Sequence, residues 1–455
     1  MTMATSEQVL DTFTNDLRAA IAGEVYTPAD AEYDAKAHGF QQVWKHTAPF
    51  LVDPRDENDV AAAVRLATAH GLPVSPLGHN HGYYGPITEG VLIRTIPLAS
   101  VTVDPEAGTA VVGAGTTWGE VAQAAAVHGF TPSSGQDPSV GVVGFLLGGG
   151  LGAYTRTYGY GADHVRSMRV VLADGSIVEA SDTENTELFW ALRGGNSGFG
   201  CVVSVTIELL NLPAVQAETR YYAADDIPVM FRAWARWIQD LPASFNPLGG
   251  VEPMPDEENG GETMTPVLML RIVHVGDEAE FEDVLATFPT DAEPMFVERG
   301  EAQDQPVEEP FPVREGAVFL RELPEAAVDT IIDALGADSL FVAGAIQVLG
   351  GATEAPDATA TAVAARDARY AFYVATMGEV AFDPAAPVAF QKVADALAPW
   401  ASAEVIPNFN GGLNRMATLT SPHAGDKAER LAAVRAAVDP TGTFARQTGV
   451  DVRSR

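Results

Sequence analysis

The sequence predicts an α+β protein, with an antiparallel sheet covered by helices joined to a glycine-rich lobe of mixed strands and helices. Three observations carry that reading. Short apolar, β-branched runs at 91–93, 101–103 and 201–210 alternate with segments of helical period, so neither an all-helix nor an all-strand fold fits. Asp174-Gly175 joins two strand-like runs as a tight hairpin turn, which makes those strands antiparallel. At Pro213 the composition shifts, and strands and helices then alternate up to about residue 402.

Taken in order, Val9, Leu10, Phe13, Leu17 and Ile21 recur at helical spacing and predict an amphipathic helix over 6–22. Residues 25–28 read as a turn and 34–44 as polar and irregular. Residues 50–52 form a short strand. Asp59 is placed to cap a helix over 60–70, Gly71 to stop it, and Pro73-Val74 to begin the next strand, a β-α-β unit. Further strands are expected at 109–115, 168–173 and 176–180, with helices at 118–128, capped by Thr116 or Thr117, and at 187–192. In the second part the expected strands are 266–275, 316–319, 339–348 and 369–375. The expected helices are 227–241, 278–287, 324–335 and 387–400, with an acidic loop near 253–262. An amphipathic helix over 426–438 closes the chain.

Bulk properties narrow the function. With 455 residues, 47% of them hydrophobic, the chain can bury a large core. A net charge of −34 shows no basic footprint for a nucleic-acid partner. No run of roughly 18 apolar residues marks a membrane span, and the first residues lack a signal-peptide pattern, so a cytoplasmic location is expected. Cys201 is the only cysteine, in a strand-like run, and reads as a buried structural thiol. No matched ligand set accompanies His79 and His81, so no metal is expected. Neither a serine-hydrolase elbow nor a P-loop is present.

The stretch 74–152 carries the chemistry. It opens on Val74-Ser75-Pro76-Leu77-Gly78-His79-Asn80 and ends on Gly148-Gly149-Gly150-Leu151-Gly152. Glycines this dense serve close approach of the backbone, either in turns or around a pyrophosphate. The cluster also fits G-x-G-x-x-A after the apolar run 142–147, which leaves open a nicotinamide-binding Rossmann reading with Asp174 as the ribose acid. Against it, 154–162 has no apolar helical stripe. His79 is either a hydrogen-bonding loop residue or a functional group.

The succession Gly-His-Asn (78–80), Gly-Thr-Thr-Trp-Gly (115–119), Ser-Val-Gly-Val-Val-Gly (139–144), Leu-Gly-Gly-Gly-Leu-Gly (147–152), Arg-x-Tyr-Gly (156–159), Glu-Leu-Phe-Trp-Ala-Leu-Arg-Gly-Gly (187–195) and Asp-Pro-x-x-x-Phe (439–444) resembles a known family. It is similar to FAD-linked oxidases of the vanillyl-alcohol oxidase/p-cresol methylhydroxylase superfamily, and more narrowly to their berberine bridge enzyme-like branch. The likeness is strong over 45–210 and resumes at 407–409 and 431–444. It implies a two-part FAD-binding domain of the p-cresol methylhydroxylase type at 1–213 and 404–455, with a substrate domain inserted at 214–403.

The resemblance implies that His79 is bonded to the 8α carbon of FAD. It places Ser75, Pro76, Leu77, Gly78, Asn80, His81, Asp137, Val140, Gly141, Gly144, Gly148, Gly149, Gly150, Gly152 and Val203 along the cofactor, and Asn408 and Asn410 near the flavin edge. Ser75-Pro76-Leu77 departs from the usual Arg-Gly-Gly. Asp137 stands where some members carry a second, cysteinyl link, so one covalent bond is expected. Ile406 stands where many members have a basic tyrosine, which leaves Tyr83, Tyr84, His81, Gln347 and Tyr373 as candidates for proton or substrate contacts. The implied activity is oxidation of a small organic substrate (an alkaloid-like amine, a phenol, a sugar alcohol or another secondary metabolite), with reoxidation by dioxygen giving hydrogen peroxide, in a monomer or homodimer. A dehydrogenase with restricted oxygen access and a non-enzymatic flavin-binding relative are the alternatives on the same fold.

Overall fold

The computed structural model describes residues 6–82, 85–255, 264–300, 310–336, 339–354, 360–410, 413 and 422–444. Three sheets organise them. The first is built from α1 (Ser6–Ala20), β1 (Glu24–Tyr26), α2 (Tyr33–Ala37), β2 (Phe50–Asp53), α3 (Glu57–Ala69), β3 (Val74–Leu77) and β4 (Val91–Arg94). Its strand order is β1-β2-β4-β3, with β4 parallel to both β2 and β3. The expected β-α-β unit is therefore present, with a later strand seated between its two strands. Phe13, Leu17, Val60 and Val64 from α1 and α3 pack on Phe50, Val52, Val74 and Ile93 of the sheet.

The second sheet takes β5 (Val101–Asp104), β6 (Thr109–Gly113), β7 (Val165–Val171), β8 (Ile177–Ser181) and β9 (Cys201–Glu208), with α4 (Trp118–Ala126), α5 (Val142–Leu147), α6 (Thr155–Tyr158) and α7 (Thr186–Leu192) between them. Its order is β5-β6-β9-β7-β8, antiparallel throughout. Thr117 caps α4 in a capping box with Glu120.

The third sheet has seven antiparallel strands, in the order β13-β10-β12-β11-β15-β16-β14. These are β10 (Val215–Tyr222), β11 (Phe245–Pro255), β12 (Met264–Val275), β13 (Phe296–Gly300), β14 (Val313–Leu320), β15 (Ala343–Val348) and β16 (Tyr370–Met377). Helices α8 (Ile227–Trp237), α9 (Glu278–Leu285), α10 (Glu325–Ala334) and α11 (Ala386–Leu397) accompany it. Phe231 and Trp234 of α8, Phe281 of α9, Ile331 of α10 and Phe390 of α11 share one core with Leu268, Leu270, Ile272, Ile346 and Phe372. Strand residues alternate between faces, so the opposite face of this sheet is turned away from that core. The last helix, α12 (Gly425–Val438), returns to the first half of the chain. Leu431 and Val434 join the core of the second sheet, Phe444 joins that of the first, and Val74 N donates to Thr443 O.

The structure corrects several local expectations. Residues 24–26 are a strand, not a turn, because Val25 is buried and pairs with Val52. Within 34–44, Tyr33 and Ala37 bury one side of the short helix α2. Asp56, not Asp59, caps α3; the Asp59 carboxylate accepts from the amides of Ala22, Gly23 and Arg55 and so ties the N-terminal segment down. The run 142–147 is helix α5, not a strand, so the strand–turn–helix of a dinucleotide fingerprint does not form there. Strands β10, β11 and β13 escaped the sequence pattern. β11 contains Pro247, Gly249, Gly250, Pro253 and Pro255, all of which lower strand propensity. Residues 253–255 of the expected acidic loop belong to β11, and 256–262 lie outside the described residues.

Candidate functional site

The loop after β3 is clamped by a neighbouring segment. Phe40 N donates to His79 O at 2.9 Å and Gln41 N to Asn80 O at 3.1 Å. Gly39 leaves no room for a side chain, since a Cβ there would stand 2.4 Å from Asn80 Cβ. Asn80 takes a left-handed φ of 64°, which asparagine tolerates, and its amide lies against His46. The His79 ring is fixed by this turn, with Nε2 2.8 Å from Gly115 O. A carbonyl oxygen only accepts, so the ring proton sits on Nε2 and Nδ1 keeps its lone pair. On the adjacent Cδ2 edge, a Cβ at Gly141 would come within 3.0 Å of the ring. Ser75, Pro76 and Leu77 are residues of β3, and the Leu77 side chain is wholly buried among Tyr33, Leu51 and Leu92.

The glycine cluster does something other than present free amides. Gly148 N donates to Gly144 O, Gly149 N to Leu146 O, Gly150 N to Asn408 Oδ1 and Gly152 N to Thr155 Oγ1. All four N–H groups are satisfied inside the protein. The glycines permit contact: a Cβ would stand 2.3 Å from Asn408 Nδ2 at position 148, 2.6 Å from Phe145 at 150, and 2.5 Å from Ser134 O at 152. Asn408 also donates to Phe145 O at 3.0 Å, so its amide locks the end of α5 to the cluster. Asn410 is buried, and its Oδ1 has no hydrogen-bond partner among the described residues.

Two glycines of these segments leave open space. A Cβ at Gly144 would meet nothing within 4 Å, and one at Gly78 would meet only Thr95 Oγ1, at 3.7 Å. Val140 O accepts from Trp118 N, which holds the 138–141 segment against α4. A separate cavity of about 310 Å³ is lined by Arg55, Glu57, Leu98, Ser100, Gly113 and Val203, between the first and second sheets. Open-faced glycines beside His79, an unpartnered buried acceptor at Asn410 and this cavity suit a long ligand with a flat ring at one end.

Beside His79, a second histidine is held on three sides. The His81 ring stacks flat on Phe40, with centroids 3.9 Å apart. Ser139 Oγ is 3.0 Å from His81 Nε2, and Asp137 Oδ2 is 3.8 Å from Nδ1. Ser139 N and Oγ both reach Asp137 Oδ1 at 2.7 Å. Burial takes the His81 pKa down to about 4, against the pull of Asp137.

The face of the seven-stranded sheet turned away from the helices carries a second group of side chains. Register places Gln347 opposite Leu248, Tyr373 opposite Ala345, Arg271 opposite Leu248, and Met269 opposite Gly250, with Glu252 two residues along β11. All these side chains share one face. Gln347 Nε2 donates to Gly152 O at 2.8 Å and thereby joins the sheet to the glycine cluster. Tyr373 stacks with Phe409, and its burial, reinforced by Glu315 and Glu252, raises its phenol far above the ordinary tyrosine range. Burial and then Glu298 raise the Glu252 pKa, opposed by Arg271. Arg271 reaches Gln136 Oε1 at 3.5 Å across the divide. Sequence reasoning passed over Arg271 and Glu252. The available signal was a single charge at 271 inside the apolar alternation 267–275. Tyr83 and Tyr84 lie outside the described residues. Among the described residues no group of three or more His, Cys, Asp or Glu side chains could hold a metal, and no helix is long and apolar enough to cross a membrane.

Residues 48–181 match the FAD binding domain family. The chain is 40% identical over 163 residues to FAD-linked oxidoreductase fogF of Aspergillus ruber, covering 35% of this chain and 33% of that protein. It is 33% identical over 196 residues to (R)-6-hydroxynicotine oxidase of Paenarthrobacter nicotinovorans, covering 43% of each. The matches thus span less than half the length of these relatives. Nearly the whole fold is shared with solved structures. Physcomitrella patens BBE-like 1 superposes with a TM-score of 0.80 at 19% identity, covering 95% of this chain and 97% of that one. Glucooligosaccharide oxidase from Acremonium strictum, described with a 6-S-cysteinyl, 8α-N1-histidyl FAD, gives 0.81 at 19% identity over the same shares. Residues 48–181 thus match an FAD binding domain, and the chain as a whole shares the fold of BBE-like 1 and of 6-hydroxy-D-nicotine oxidase.

Proposed function

We propose that this protein is a FAD-linked oxidoreductase that carries its flavin on His79, oxidises a small organic molecule and returns the electrons to dioxygen as hydrogen peroxide. The observation that carries the reading is the His79 ring itself. Its Nε2 is committed to Gly115 O, its Cδ2 edge faces the side-chain-free Gly141, and in the neutral ring Nδ1 keeps a lone pair. A neutral imidazole with one nitrogen protonated and the other bare is the form that can bond to an electrophilic carbon. The histidyl FAD of glucooligosaccharide oxidase supports a link of that kind.

Bound FAD supplies the redox chemistry, taking two electrons from the substrate and passing them to oxygen. The protein's part is binding, orientation and water exclusion. Gly78 and Gly144 leave open space for the cofactor, and Val203 lines the separate cavity between the first and second sheets. Asn408 keeps the glycine cluster in place, and the Asn410 Oδ1 can accept a hydrogen bond from the cofactor. The substrate sits on the face of the seven-stranded sheet that carries Tyr373, Met269, Glu252 and Arg271. Gln347 fixes the distance between the two walls.

The test begins with attachment. Wild type and His79→Ala are denatured in SDS and inspected for flavin fluorescence that migrates with the polypeptide. Fluorescence in the first and none in the second is expected. Native protein without any flavin would overturn the reading; flavin that washes off wild type would make His79 a non-covalent neighbour. The holoprotein is then mixed anaerobically with 6-hydroxynicotine, glucose, xylobiose or benzyl alcohol. Flavin bleaching followed by peroxide release on adding oxygen is the expected result, whereas bleaching without rapid reoxidation would mark a dehydrogenase.

A further inference from the structure

Oxidation of a carbon that bears an O–H or N–H group releases a proton as well as a hydride equivalent, so the site needs a proton acceptor. On the sheet face Glu252, a carboxylate whose pKa burial raises, is the rival acceptor, and the other three candidates serve poorly. Tyr373 is held protonated by burial and by two carboxylates. Gln347 cannot ionise and is tied to Gly152. Ile406 is fully buried and apolar.

Beside His79 stands an assembled alternative, drawn from three separate segments. Its proton positions follow from the hydrogen bonds. The Asp137 carboxylate only accepts, so the Ser139 hydroxyl hydrogen goes to Asp137 Oδ1 at 2.7 Å. Ser139 Oγ is then the acceptor for His81, and the His81 proton sits on Nε2, 3.0 Å away. The lone pair is left on Nδ1, facing Asp137 Oδ2 at 3.8 Å. Burial favours the neutral ring, while a proton arriving on Nδ1 would face the Asp137 carboxylate, which stabilises the imidazolium. Phe40 stacks on the ring and fixes its plane. The charged or titratable groups facing His81 are Asp137 from the facing loop and His79 from its own loop. About a fifth of each of the His81 and Asp137 side chains is exposed, so a small molecule and solvent can reach the pair. The neutral ring at pH 7 is ready to accept.

We propose that His81 is the proton acceptor of the reaction, with Ser139 and Asp137 as its positioning residues. The inference rests on the oxidoreductase reading. In the step, the substrate carbon loses a hydride equivalent to the bound flavin, which is the oxidant. The O–H or N–H proton moves to His81 Nδ1, and the carbon–heteroatom bond becomes double. Asp137 Oδ2 stabilises the imidazolium until its proton leaves to solvent.

The test uses the FAD-loaded protein and whichever of the four donors named above bleaches the flavin anaerobically. His81→Gln keeps an amide N–H for Ser139 but cannot accept a proton; Asp137→Asn keeps the shape but not the charge. Single-turnover bleaching should slow about 100-fold in His81→Gln and about tenfold in Asp137→Asn. The acid limb of the rate–pH profile should vanish in the first and move to lower pH in the second. Added imidazole should restore part of the His81→Gln rate, and both variants should keep their flavin. Nitrogen-15 NMR of histidine-labelled wild type provides a reading independent of activity, with His81 in the Nε2–H tautomer. A His81→Gln rate and profile equal to wild type would overturn the proposal while leaving the oxidoreductase intact. An Nδ1–H tautomer would overturn it whatever the donor does. Failure of every donor to bleach wild-type flavin would remove the oxidoreductase reading and this proposal together.

Discussion

The Nε2 of His79 lies 2.8 Å from the carbonyl oxygen of Gly115, and that bond selects the ring tautomer on which the proposed flavin attachment depends. The adjacent Cδ2 edge of the ring is set by Gly141, whose φ of −70° any residue can adopt. The glycine is needed there for space, since a Cβ would sit 3.0 Å from His79 Cδ2. Gly141→Ala should therefore fold normally yet attach flavin roughly tenfold more slowly, because a displaced ring loses its reacting geometry. In-gel fluorescence after timed incubation with FAD checks this; attachment at the wild-type rate would show that the ring has room to move.

Asn408 and Gly148 are one fitted pair. Removing the amide in Asn408→Ala leaves Gly150 N–H and Phe145 C=O without their partner, each costing about 1–3 kcal/mol when buried. Gly148→Ala drives a methyl into the same amide. Each single variant should lose about 2–4 kcal/mol in urea denaturation. The double variant should lose less than the sum, because the methyl then occupies the vacated space. Strict additivity would show that the two positions do not share that space.

Arg156 joins the cofactor half to the sheet half. Its guanidinium donates to the carbonyls of Leu349, Pro242, Phe245 and Leu241 at 2.6–3.0 Å while almost fully buried. A lysine offers one point charge and cannot span four acceptors. Arg156→Met should cost about 3–5 kcal/mol, and Arg156→Lys somewhat less. Limited proteolysis should reveal new cleavage near 241–245 in both. Wild-type resistance there would mean that the apolar contacts alone hold the halves together.

Most helices and the strands β2 to β9 were legible because they rest on local signals: periodicity, capping residues and the Asp-Gly turn. The role of the glycine cluster was not. Gly150 bonds a residue 258 positions away, and no local pattern announces that partner. The same applies to Asp59, which reads as a cap until the amides of Ala22 and Gly23 are seen on its carboxylate. Strand β11 was hidden by its prolines and glycines, which the flanking strands β12 and β15 override by pairing along its length.

Two buried histidines set the acid side of the stability profile. Burial takes His46 and His423 each to about 4, well below the ordinary histidine value near 6.5. His46 Nδ1 accepts from Ile87 N, which requires that nitrogen to be unprotonated. His423 Nε2 lies 3.0 Å from Gly194 O, to which it donates. A group depressed in the folded state binds fewer protons there than in the unfolded chain between the two pKa values. Its stabilising contribution is complete above about pH 6.5 and is lost as pH falls towards about 4. Each histidine can withdraw up to about 3 kcal/mol over that interval. Urea midpoints at pH 7, 6, 5 and 4.5 should thus fall steadily in wild type. His423→Gln keeps an amide donor for Gly194 and removes the titration, so its midpoint should start lower and decline less. An identical slope in variant and wild type would assign the acid loss to carboxylates instead.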